Sequence, residues 1–189
     1  MLRLTPLLVA VALFSTPALS EGASGERSKM KEIRTYQAIS STIDPARIYT
    51  LPDMDLSYAL AGTLVEWSAE KEITAGLAET WTNVSPRQVR FTLRKNLRWS
   101  DGTALTALDI KASLERGLAK YPDDLRSLSN LIDRIEAPAP NAIDFFLKLS
   151  ASQASLAGKL GEPNFGITRV NSKGEIDLTI SSGPFSVRS

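Results

Sequence analysis

The sequence predicts an α+β fold, a mixed sheet with flanking helices, and three observations carry that expectation. Two stretches alternate apolar and polar side chains with the period of a half-buried strand. Val89, Phe91 and Leu93 alternate with Arg90, Thr92 and Arg94, and Ile143, Phe145, Leu147 and Leu149 alternate with Asp144, Phe146 and Lys148. Two other stretches carry apolar side chains at helical spacing: Leu56, Leu60 and Leu64, and Ala107, Ile110, Leu114 and Leu118. Between them stand short segments broken by Pro and Gly, with no internal repeat and no low-complexity tract. The reading is one domain with several hairpins and three or four helices.

The elements follow in order. Residues 1–20 have the three parts of a secretory signal: Arg3, the apolar run Leu4 to Phe14, and the small residues Ala18 and Ser20 before a cut after Ser20. The run is far shorter than the roughly 20 apolar residues of a membrane span. Residues 21–31 are small and charged, a flexible lead-in to a domain over 32–189. Glu32 to Ala38 reads as a first strand, ended at Asp44-Pro45 because the residue before Pro leaves the α region. Pro52 to Val65 reads as a helix with a wide apolar stripe, Tyr58 included, that Gly62 weakens, with an end at Gly62 as the alternative. Ile73 to Trp81 is short and mixed, and a turn covers Asn83 to Pro86.

After the strand at 89–93, Asp101-Gly102 is a turn dipeptide. Thr106 then stands where an N-cap belongs, with Asp109 three positions on as a short capping-box acid. The second helix spans Ala107 to Ala119, and 122–131 is a short helical segment. Ile132 to Glu136 is a strand ended by Pro138 and Pro140, followed by the strand from Ile143. Gln153 to Leu160 is a small helix closed by Gly161, and Phe165 to Val170 and Ile176 to Ile180 are short strands around the Ser172-Lys173-Gly174 turn.

Composition narrows the chemistry. The charge is +1 over 189 residues, and residues 1–20 hold no charged side chain but Arg3, so the remainder is formally neutral. A neutral chain does not suit nucleic acid, whose binding rests on neutralised phosphates. There is no His, which excludes His triads and His-ligated metals, and no Cys, so an exported domain cannot use disulfides. No nucleophile elbow or phosphate loop appears, and the acidic pairs Asp53/Asp55 and Asp123/Asp124 sit at helix-start or loop positions. No cofactor is expected. Trp81 and Trp99 read as core residues rather than ligand platforms.

One stretch resembles a known family. Leu93-Arg94, Trp99-Ser100-Asp101-Gly102-Thr103 and Thr106-Ala107 with Asp109 are similar to the signature of the family 5 extracellular solute-binding proteins, the oligopeptide-, dipeptide- and nickel-binding components of ABC importers. Four further landmarks follow in the right order. Asp44-Pro45 resembles the family's "leu-asp-pro" turn, and Leu60 to Val65 its "leu-tyr-glu-gly-leu". Leu77 to Trp81 resembles "leu-ala-glu-ser-trp", and Ser182 to Phe185 resembles "thr-gly-pro-tyr".

The resemblance implies part of lobe I of a periplasmic-binding-protein-like (class II) fold, a monomer free in a Gram-negative periplasm and not membrane-inserted. It implies a peptide or similar small solute as ligand and the importer's membrane permease subunits as partners. In that family the chain before the Asp-Pro turn passes the ligand cleft, so Ser41, Thr42 and Asp44 are candidate ligand contacts, with plain loop structure as the alternative. Relatives are several-fold longer, so the expectation is a truncated amino-terminal portion. A half-lobe that binds no solute and a small exported hydrolase are the other readings.

Overall fold

The computed structural model describes residues 43–149 and 153–187. The signal over 1–20, the lead-in over 21–31, the strand over 32–38, Ser41 and Thr42 lie outside the described residues. A 3-10 turn, Pro45–Arg47, leads to helix α1 (Leu51–Leu60). The hairpin of β1 (Val65–Trp67) and β2 (Ile73–Ala75) follows, then β3 (Ala78–Ser85) and β4 (Gln88–Leu93). Helices α2 (Ala107–Lys120) and α3 (Arg126–Ser129) lead to β5 (Ile132–Ala139) and β6 (Ala142–Leu147). Helix α4 (Gln153–Leu160), a 3-10 turn at Pro163–Phe165, and β7 (Thr168–Val170) with β8 (Ile176–Ser181) complete the order.

The central sheet runs β3-β4-β6-β5, and β1-β2 and β7-β8 form two-stranded sheets. The α+β class and the flanking helices are as expected. The sheet is not mixed: every strand pairing among the described residues is antiparallel. The reason is the connections, since tight turns join β3 to β4 and β5 to β6, and tight turns can join only antiparallel neighbours.

Register sorts the side chains onto two faces. Phe91 stands opposite Trp81 on one side and Ile143 on the other, and Val89 opposite Phe145. This inner face, with Ile132, Ile135 and Leu147, is buried together with Ile110 and Leu114 of α2. Phe91 and Phe145 meet edge to face at 5.4 Å, and Trp81 stacks on Phe91 at 6.1 Å. Phe91 is fully buried and Trp99 is 3% exposed, so both are core residues.

The outer face carries a polar row, Thr82, Arg90, Asp144 and Glu136, one from each strand. Arg90 donates two 2.7 Å bonds to the Asp144 carboxylate, and Gln88 a third at 3.0 Å. The bond from Arg90 holds that carboxyl below the usual carboxylate range, against the opposing pull of burial. A group depressed on folding contributes stability above its unfolded pKa, and the contribution is lost as pH falls through the folded value. Asp144→Asn should therefore lower stability at neutral pH and flatten the acid limb below about pH 4. Thermal melts across that range check this, and an unchanged acid limb would contradict it.

Strand β5 runs through Pro138 to Ala139, past the expected stop at Glu136. It lies at the sheet edge, with a register shift between Glu136 and Ala139, where a missing N–H removes no ladder bond. Pro163 starts a 3-10 turn through Phe165, so the strand expected from Phe165 begins only at Thr168. Among the described residues, no helix is long and apolar enough to cross a membrane.

Candidate functional site

Helix α1 begins with a capping box, in which Asp53 accepts from the Thr50 amide at 3.1 Å and donates its own amide to Thr50 Oγ1 at 3.3 Å. The expected burial of its apolar stripe is not found. The buried positions are Asp53 and Ser57, while Leu51 is 72% and Tyr58 46% exposed. The helix approaches its neighbours through backbone and small groups: Ser57 Oγ donates to the Pro163 carbonyl at 2.8 Å, and a β-carbon on Gly166 would lie 2.7 Å from that of Ala61. Only short side chains fit there. The helix stops at Leu60, so Leu64 and Val65 are not helical; both are buried, Val65 in β1.

Beyond Leu60 two distant segments interlock. The Gly62 amide donates to Ser182 Oγ at 2.9 Å, and the amides of Gly183 and Phe185 donate to the Leu60 and Ala59 carbonyls at 3.0 Å each. Ser182 Oγ in turn donates to the Ile167 carbonyl at 2.5 Å, and the Ile167 amide to the Gly62 carbonyl at 2.8 Å. A β-carbon on Gly183 would sit 2.6 Å from the Leu60 carbonyl carbon, closer than backbone allows. Glycine is required at 183 by this approach.

The interlock floors an open cleft of about 290 Å³, lined by Tyr58, Ala61, Gly62, Thr63, Glu66, Trp67 and Pro184. That is close to the lower size of small-molecule sites. Partial desolvation first, and the charge of Glu162 second, push the Tyr58 hydroxyl above its ordinary pKa. Trp67 is 46% exposed. No motif in the sequence marks Trp67, and helical patterning alone would bury Tyr58.

Of the residues proposed from sequence, only Asp44 lies within the described chain. Its carboxylate caps the 3-10 turn at the Ala46 amide, 3.2 Å away, and takes both arms of Arg116 at 3.2 and 2.7 Å. The side chains of this pair are 12% and 10% exposed. Asp44 thus fastens the entering segment to α2. The neighbouring Ile43 and Pro45 line a narrow groove against Ile176, Leu178 and Ile180 of β8, and Ala61 belongs to both groove and cleft. Asp101, expected as a turn former, accepts from the Thr103 amide at 2.9 Å and also pairs with Arg169 at 2.7 Å.

Two rings, the Glu66 carboxylate and backbone groups around an open cleft are means of holding a molecule, as a binding protein does. The chain belongs to the bacterial extracellular solute-binding proteins, family 5, whose model (family 5 Middle) matches residues 72–189. This is a family of transport components and not of enzymes, so the hydrolase reading is set aside.

Over 110 residues the chain is 32% identical to the periplasmic murein peptide-binding protein MppA of Escherichia coli K12, covering 58% of this chain and 20% of that protein. Over 90 residues it is 31% identical to the periplasmic oligopeptide-binding protein OppA of the same strain, covering 48% and 17%. The crystal structure of the oligopeptide-binding protein OppAIV from Borrelia burgdorferi matches with a TM-score of 0.69 at 20% identity, covering 79% of this chain and 35% of that one. The matched stretches therefore span about a fifth of the curated relatives and a third of the solved structure. The fold is part of a lobe of a periplasmic binding protein.

Proposed function

We propose that the chain is the amino-terminal portion of a periplasmic substrate-binding component of an ABC importer, taking peptides or similar small solutes. In this reading residues 1–20 are a cleaved export signal, 21–31 a flexible lead-in and 32–189 part of the binding domain. The protein is a monomer whose partners are the solute and the importer's permease subunits. The names of MppA and OppA, both periplasmic and peptide-binding, support the address and the solute class.

The observation that carries the reading is the interlock of the segment Leu60 to Val65 with Ser182 to Phe185 under the open cleft. Two separate family landmarks meet there to build a wall with exposed rings. Ser41, Thr42 and Asp44 remain the second candidate wall. The Asp44 carboxylate is engaged by Arg116, so this segment would offer a ligand mainly backbone groups and the Ser41 and Thr42 hydroxyls.

Native mass spectrometry of protein from a periplasmic extract tests the proposal. A monomer whose mass begins near Glu21 is expected. A mass that retains Met1 to Ser20, or recovery only with membranes, would overturn it.

A further inference from the structure

The groove beside β8 is apolar along its length. Ile176, Leu178 and Ile180 stand two positions apart on that strand, so they share one face, and all three line the groove. Leu60 and Pro45 line it as well. The Asp177 carboxylate, also in the lining, is engaged within β8 itself, where it accepts from the Thr179 hydroxyl at 2.7 Å and amide at 3.0 Å. Ile43 is 38% and Leu178 44% exposed, and apolar side chains grouped in this way mark a contact surface.

The entering segment sets out from this groove. Ile43, the first described residue, lines it, and Asp44 after it is extended at φ −78°, ψ 111°. Counting back from Ile43 in steps of two, as an extended chain alternates, puts Ser41, Ile39 and Gln37 on the side of Ile43. Thr42, Ser40, Ala38 and Tyr36 fall on the other side. The lengths agree, because Ile39 to Ile43 and Ile176 to Ile180 are the same number of steps, about 13 Å at ~3.3 Å per residue. The charges agree too. Tyr36 to Thr42 holds no charged residue, whereas Lys31, Glu32 and Arg34 stand just before it. An uncharged segment can enter an apolar groove without the cost of burying a charge.

We propose that the groove seats this chain's own segment Tyr36 to Thr42, laid extended along β8 with Ile39 packed against Leu178. Its bearing on the solute rests on the reading of Ser41 and Thr42 as a wall. Alternation turns Ser41 into the groove with Ile39 and leaves Thr42 as the hydroxyl that faces out.

The chain contains no Cys, so introduced pairs report without interference. In the full chain Ile39→Cys is combined with Leu178→Cys and, as a control, with Val84→Cys, an exposed position of β3 outside the groove. A disulfide needs Cα atoms within about 7 Å. Mild oxidation is expected to close a bond within the monomer in the first pair and not in the control, read by intact mass and non-reducing electrophoresis. In single variants, thiol labelling of Leu178→Cys should run at least about tenfold slower than that of Val84→Cys, and adding Ile39→Asp should remove most of the difference.

No bond in the first pair, or equal labelling rates, would overturn the seating. A bond between two chains would overturn it in favour of a second copy. Protection of Leu178→Cys that appears only with added peptides would overturn it in favour of the solute. The export reading is decided separately, by the mass measurement above.

Discussion

Trp99→Ala is expected to cost about 3–5 kcal/mol, the range for emptying a buried large aromatic site. Trp99 is 3% exposed, and its amide bonds the Thr103 carbonyl at 2.9 Å to close the turn around Asp101. The Arg169 guanidinium lies 5.9 Å from the centre of its ring. Loss of the indole would open a cavity and free the loop that leads into α2. Among the described residues its buried indole N–H has no hydrogen-bond partner, and leaving such a group unsatisfied costs about 1–3 kcal/mol. Trp99→Phe keeps most of the ring and removes that N–H, so it should cost less than about 1.5 kcal/mol. Urea unfolding of the two variants checks both values. Equal losses in the two would show that the cavity is not what matters.

Arg116→Ala should cost about 3 kcal/mol, the low end of the range for removing one partner of a buried ion pair. The low end applies because a tenth of each side chain still meets water. The loss is mostly that of the two bonds that the Arg116 guanidinium donates to the Asp44 carboxylate. Asp44→Ala in the same background should then recover part of the stability. A double-mutant cycle by thermal denaturation measures the coupling, expected at about 1–3 kcal/mol. Strict additivity would show that the pair contributes nothing as a pair. Whatever the outcome, the cycle decides whether Asp44 is chiefly an anchor for the segment that carries Ser41 and Thr42.

The parts of this fold that were legible in the sequence are those fixed by neighbours in the chain. The alternation over Val89 to Leu93 lies in β4, and the Asp101-Gly102 turn forms with Gly102 at φ 85°. Thr106 donates its amide and hydroxyl to the Asp109 carboxylate at 2.8 and 2.7 Å, as the capping spacing required. Each signal lies within a few residues of its partner.

The errors have the opposite origin. The face that α1 buries depends on the Pro163 carbonyl and on Gly166, more than a hundred positions away, and a hydrophobic stripe contains no word of either. Pro138 could be accepted in a strand only because that strand is at an edge, which local sequence does not state. Trp67 gained its role from Gly158 and Gly161, and their spacing is the one sequence signal that could have drawn attention to a ring lying across α4.

The long reach of the interlock also sets an order of events. The bond from Gly62 to Ser182 closes across 120 positions, and that from Trp67 to Gly158 across 91, whereas β3 turns into β4 between Ser85 and Gln88. Closing a loop loses more chain entropy the longer it is, and folds that depend on distant contacts form slowly. The central hairpins, closed by short turns, are therefore expected to assemble before the floor of the cleft. A guest held in the cleft would act as a clasp on that floor and slow its opening.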